Sequence, residues 1–170
     1  GIVVNDRLGG EVPADVVTPE QQKTFAWPTH GGRPAPAWET CQTFSGSWGY
    51  NRDEMTWKDL RQLLVMVIDN VSKGGNTILN VGPTGRGNFD ARARERLAGI
   101  GRWMGPNGRS VYGCGAAPTG FAAPEGTLLT YSEARKRLYV HLLEYPIGSL
   151  PITFADKVRY AQFLHDASEV

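Results

Sequence analysis

Residues 56–83 read TWKDLRQLLVMVIDNVSKGGNTILNVGP, and the change of period within that stretch decides the fold class. Leu60, Leu63, Leu64, Val67, Ile68 and Val71 recur at i, i+3, i+4, i+7, i+8 and i+11, which lays one apolar stripe along a helix. Thr56 to Asp59 match a capping box with Asp in place of the usual Glu. Gly74-Gly75 stops the helix, and Asn76 onward reads as a short strand that Gly82-Pro83 turns. A second helix is expected from a cap at Asp90, with Ala93, Leu97, Ile100 and Met104 on one side and Asn107-Gly108 at its end. Upstream, Ile2–Val4 is a β-branched run that ends in Asn5-Asp6-Arg7, the pattern of a buried parallel strand with polar residues at its C-terminal end. Strand, helix, strand, helix is the rhythm of a (β/α) barrel, in which the C-terminal strand ends carry the chemistry.

The flanks differ in character. Residues 8–37 are rich in Gly and Pro and are expected to be loop, which at that length points to a functional segment. Past Ala116 a linker holds Pro118, Gly120, Pro124 and Gly126. Thr127–Tyr131 and Arg137–Leu143 then read as two strands joined by the charged turn Glu133 to Lys136, and Ile152–Phe154 and Val158–Tyr160 are weaker strand candidates. This reads as an antiparallel module, a β-sandwich cut short. The chain begins Gly-Ile-Val-Val without Met and opens inside a strand pattern, so it is expected to be a piece of a longer protein.

With 18 basic and 17 acidic residues the net charge is +1, which argues against a phosphate-binding face and hence against nucleic acid. Arg92, Arg94 and Arg96, with Glu95, read as a solvated helix face. No stretch approaches the ~20 apolar residues of a membrane span. Cys41 and Cys114 fit no metal or redox spacing and leave open either two thiols or one disulfide. His30, His141 and His165 are scattered, so no metal site is expected. The glycines from Gly82 to Gly87 lack the ending of a phosphate loop and read as suppliers of turn dihedrals.

Carboxyl groups at strand ends and in the loops that follow are the first candidates for acid–base or nucleophilic chemistry. The loop and strand-end candidates are Asp6, Glu11, Asp15, Glu20 and Glu39. Glu20 lies in a loop with Phe25, Trp27 and Trp38, and aromatic cover would desolvate it and raise its pKa, as a general acid requires; a solvated loop carboxylate is the plainer alternative. Glu39, between apolar neighbours, invites burial and pairing, with Arg7 as a partner. Arg7 offers a fork of N–H groups to a carboxylate or to sugar hydroxyls. Ser45 to Tyr50 sets Trp48 and Tyr50 among small residues, which fits either a sugar-stacking wall or loop packing.

Six segments in order resemble the α-L-fucosidases of glycoside hydrolase family 29: Val4–Arg7, Thr18–Glu20, Trp38–Cys41, Ser47–Tyr50, Gly74–Pro83, and Ile100–Trp103 through Asn107-Gly108 to Gly113. The resemblance divides the chain into residues 1–115, the C-terminal part of a catalytic (β/α) barrel of the TIM type, and 116–170, a partial C-terminal β-sandwich. It implies a retaining exo-glycosidase that releases terminal α-L-fucose from fucosylated oligosaccharides or glycoconjugates, with no cofactor and no metal, in a secreted, periplasmic or lysosomal setting. The family's nucleophile is an Asp upstream of Asn5, so these 170 residues alone are expected to be inactive. Glu20 takes the place of the general acid/base, with Glu39 second. Arg7 matches a fucose-contacting arginine, Trp48 an aromatic beside the sugar's C5 methyl, and Trp38 is grouped with the substrate-binding residues. Leu8 stands where many relatives carry Trp, and Arg109 where Glu usually follows Asn-Gly. A non-catalytic carbohydrate-binding module and a barrel glycosidase for another sugar are the alternatives.

Overall fold

The computed structural model describes residues 1–9 and 12–170. Its organising unit is the quoted stretch. Helix α1 (Leu60–Ser72) lies between β3 (Glu39–Thr43) and β4 (Asn76–Asn80), which pair in parallel from Glu39↔Asn76 to Thr43↔Asn80. The helix begins three residues later than the sequence pattern implies. Asp59 is the N-cap, its carboxylate accepting from the Gln62 amide while the Gln62 side chain accepts from the Asp59 amide. Thr56 does not cap; its hydroxyl donates to Glu54 and accepts from the Gly46 amide. Gly74, at φ 79°, takes the left-handed turn that ends the helix.

The stripe of α1 is used on two sides. Leu63 is fully buried, and Ile68 and Val71 join Val111 in a core completed by Val67, Trp103, Met104, Cys114 and Leu128. Helix α2 (Ala91–Asn107) starts on the Asp90 cap, as expected.

The stretch before β3 is more ordered than a loop. It holds a hairpin, β1 (Thr29–His30) with β2 (Arg33–Pro34), and its Gly31-Gly32 turn has φ of 57° and 74°, the paired positive values a two-residue hairpin demands. It also contributes strand positions that composition hid. Parallel bridges run Asn5↔Val16, Val17↔Trp38 and Glu20↔Cys41, so the segments at 5, 16–20, 38–43 and 76–80 lie side by side in chain order. The Ile2–Val4 expectation is corrected: Ile2 and Val3 are 90% and 73% exposed, and this run forms no strand. Its end is held by the Val4 amide on the Asp15 carboxylate and by the Val4 carbonyl, which accepts from the amides of Asp15 and Val16, the latter as part of the Asn5↔Val16 bridge.

Beyond α2, β5 (Gly115–Ala116), β6 (Thr127–Ser132) and β7 (Arg137–Leu142) form an antiparallel sheet in that order. The two longer strands and their charged turn match the sequence reading. Ile152–Phe154 and Val158–Tyr160 do not become strands: Ala155–Lys157 is a 3-10 turn, and Phe154 is buried edge-on against Phe121. The sheet packs on α1 through Leu128, and Thr130 donates to the Ser110 carbonyl at 2.6 Å.

Candidate active site

Which face each strand residue takes follows from the ladder. Asn70 of α1 donates through Nδ2 to Thr40 at 2.6 Å and to Thr77 at 2.8 Å, so that paired row faces the helix. Side chains alternate along a strand. Glu39 with Asn76, Cys41 with Ile78 and Thr43 with Asn80 therefore face away from α1. Glu20, bridged to Cys41, joins that opposite face at the C-terminal end of its own segment.

Arg7 reaches Glu20 on this face, with Nη1 2.5 Å from Oε2 and side-chain exposures of 44% and 45%. That hydrogen bond is the main reason the Arg7 guanidinium is held above its ordinary range. Two expectations are corrected here. Arg7 pairs with Glu20 and not with Glu39. Aromatic residues do not seal Glu20 from water: Trp27 stacks edge-on against Trp38 and donates to the Ala35 carbonyl, and Phe25 is exposed beside Lys23 and Lys73.

The other carboxylates have local duties. Asp6 accepts from the Thr18 amide at 2.9 Å, and Asp15 accepts from the Val4 amide. Glu39, half-buried at the start of β3, accepts from the Thr18 hydroxyl at 3.4 Å. Glu11 lies outside the described residues. Trp38 is corrected from substrate contact to core: it is 0% exposed and packs with Val17 and Ala35. Cys41 and Cys114 are free thiols, and burial pushes Cys114 up.

Trp48 is 36% exposed on the loop that follows β3, a shallow depression of which is lined by Thr43, Phe44, Tyr50, Trp57 and Gly82 among others. Two residues that sequence reasoning missed hold this loop from β4. Asn80 donates from Nδ2 to the Trp48 carbonyl at 2.7 Å. Gly82 is not a turn glycine: its φ is not positive, and a Cβ there would lie 2.4 Å from the Gly49 carbonyl carbon and 2.5 Å from the Tyr50 amide nitrogen. Neither role has a signature within the loop's own sequence.

The next stretch is clamped from α2. Arg92 stacks on Trp57 at 4.6 Å and donates to Asp90 and to the carbonyls of Arg52 and Glu54; Arg96 lies 5.2 Å over Trp57 and donates to the Lys58 carbonyl. These two arginines therefore do not form the solvated face expected of them, whereas Arg94 and Glu95 are exposed.

A parallel β/α unit with a carboxylate–guanidinium pair and an aromatic loop at its strand ends defines a mixed α/β protein. Comparison with known proteins makes this specific. The Alpha-L-fucosidase family model matches residues 1–109. The tissue alpha-L-fucosidase of Bos taurus is 33% identical over 117 residues, covering 66% of this chain and 24% of that protein. Alpha-L-fucosidase isoenzyme 1 from Paenibacillus thiaminolyticus superposes with a TM-score of 0.88 at 32% identity, over 99% of this chain and 41% of the other. The Thermotoga maritima alpha-fucosidase, solved with a mechanism-based inhibitor, gives a TM-score of 0.70 at 34% identity, over 86% of this chain and 32% of the other. The chain belongs to the α-L-fucosidase family. It spans about a quarter of the length of such curated relatives.

Proposed function

We propose that these residues are the C-terminal part of a retaining α-L-fucosidase, with 1–115 the end of its catalytic (β/α) barrel and 116–170 part of a β-sandwich. The substrate is a fucosylated oligosaccharide or glycoconjugate that carries a terminal α-L-fucose. The nucleophilic carboxylate comes from outside the 170 residues. It attacks the anomeric carbon, and the bond from that carbon to the aglycone oxygen breaks. Glu20 gives its proton to that oxygen. The resulting carboxylate of Glu20 then takes a proton from water, whose oxygen displaces the enzyme carboxylate and frees fucose. Arg7 donates to the sugar, and Trp48 packs against its C5 methyl group.

The observation that carries this reading is the Arg7–Glu20 pair on the strand face turned away from α1. Glu20 ends its segment, as chemistry in parallel β/α folds requires. Glu39 sits one row nearer the N-terminal end, occupied by Thr18.

The test is Glu20→Gln in the full-length protein, assayed on an aryl α-L-fucoside with a good leaving group and on a fucosyl oligosaccharide. The kcat/KM on the oligosaccharide is expected to fall about 10²–10⁴-fold, the loss of general acid help, and that on the aryl substrate much less, while aryl kcat falls because the fucosyl-enzyme has lost its general base. Azide, which needs no general base, is expected to restore turnover of the aryl substrate. The same pattern from Glu39→Gln would move the role to Glu39. A wild type that leaves both fucosides intact would end the fucosidase reading.

A further inference from the structure

We infer that Asn80 is a positioning residue for Trp48 and, through it, sets the preference for a methyl over a hydroxymethyl group at C5 of the sugar. The inference rests on the fucosidase reading above and deepens it. Among the described residues, the hydrogen bonds that shape the Ser45–Tyr50 loop from nearby sequence are short-range: Thr43 and Ser45 hydroxyls donate to the Ser47 carbonyl, and the Ser47 hydroxyl to the Gly49 carbonyl. The Thr43 bond ties the loop to the end of β3, the strand it leaves, and the Gly46 amide bonds Thr56 on the far side. Asn80 adds the tie to the neighbouring strand, at Trp48 itself. It stands at the last rung of the β3–β4 ladder, opposite Thr43, and its amide grips the Trp48 carbonyl across 32 residues of sequence. Two residues on, Gly82 lets the loop backbone lie directly against β4's continuation. From the β4 side, one hydrogen bond and one close contact thus hold the backbone on which the Trp48 side chain is mounted. A wall of this kind rewards an apolar group that fits it and penalises a hydroxyl that it leaves unpaired.

L-galactose differs from L-fucose only by a hydroxyl on C6, so aryl α-L-fucoside and aryl α-L-galactoside are the matched probes. In the full-length protein, Asn80→Leu keeps the side-chain size and removes the donor. It is expected to raise KM for the fucoside roughly 3- to 10-fold, the range of one net hydrogen bond. The kcat on the aryl substrate should move far less, because the anomeric chemistry is untouched. The fucoside/galactoside ratio of kcat/KM should fall with KM. Gly82→Ala, which pushes the loop from the other contact, is expected to lower the same ratio. The deciding measurement is the cycle with Trp48→Ala. If Asn80→Leu no longer changes the ratio once Trp48 is Ala, the inference stands. An undiminished effect in that background, or an unchanged ratio in Asn80→Leu alone, overturns it. If Trp48→Ala by itself leaves the ratio unchanged, the assignment of Trp48 to C5 fails and this inference falls with it. A wild type inactive on both probes instead rejects the fucosidase reading.

Discussion

The β3–α1–β4 unit and the segment of residues 1–38 are built on opposite plans. In the unit every element carries its own instructions: a capping box, an apolar stripe, a left-handed glycine stop, and five successive parallel pairs. In the N-terminal segment pairing is reduced to single bridges and a two-residue hairpin. Yet Arg7 and Glu20 lie in that second region. The difference shows how a site can be held by neighbours instead of by local structure. Glu20 is fixed because the Gln21 amide bonds the Cys41 carbonyl and because Val17 seals against Trp38.

Trp38→Ala is the sharpest way to break this arrangement. It empties the centre of the small core that joins Val17 and Ala35 to β3. A loss of about 3–5 kcal/mol is expected on denaturant unfolding of the full-length protein. Hydrogen exchange should accelerate first at the Val17 and Gln21 amides, with β4 lagging. Uniform acceleration across both regions would show that the N-terminal segment is not separately held.

A pH effect of comparable size lies at the far end of the molecule. Burial pushes His141 of β7 down to about 4. Its Nε2 lies 2.9 Å from the Thr130 hydroxyl, whose own proton goes to Ser110, so Nε2–H donates; the ring of Trp103 faces it. The unfolded chain takes a proton near pH 6.5 and the folded chain only near 4. The unfolded state therefore binds more protons between those values, and stability falls as pH drops through the window, by about 3 kcal/mol at most. His141→Gln should flatten that slope. An unchanged slope would assign the acid sensitivity elsewhere.

Asn70→Ala probes the unit that looks self-sufficient. The buried amide ties Thr40 to Thr77, and its loss should cost about 1–3 kcal/mol. The effect should be smaller than that of Trp38→Ala, because β3 and β4 keep their ladder. A larger loss than Trp38→Ala would reverse the comparison between the two regions.

How much was legible in the sequence follows the same division. The stripe of α1, the Asp90 cap, the β6–β7 hairpin and the order of the six family segments could be read because each is set by residues close in sequence. The start of α1 was misplaced because Thr56 and Asp59 both make plausible caps, and only the Glu54 contact of Thr56 decides between them. The extended segment at 16–20 was hidden by Pro19 and by its length, since a stretch paired only through isolated bridges owes its shape to Asn5, Trp38 and Cys41. Trp38 resembled a ligand wall because an aromatic beside a carboxylate looks alike whether it faces a sugar or a core. The pairing of Arg7 with Glu20 was not legible, because a contact across 13 residues has no periodicity.

Arg92 offers the smallest and most local test of the comparison. The sequence places it on a helix surface, whereas the structure uses it to fasten residues 51–57 to α2. Arg92→Lys keeps the charge but loses the planar fork that bonds Asp90 and the loop carbonyls of Asn51, Arg52 and Glu54 while stacking on Trp57. Arg96 still covers the other part of that clamp, so the global loss should stay near 1 kcal/mol or below, the scale of one exposed cation–π contact. The loop should nevertheless loosen, with faster exchange at the Glu54 and Thr56 amides and no change in α1. If the loop lies on the rigid side of the molecule, that exchange will not move. If it belongs with the neighbour-held regions, as the reach of Arg92 across 38 residues to the Glu54 carbonyl indicates, exchange there will rise while the unfolding midpoint scarcely shifts.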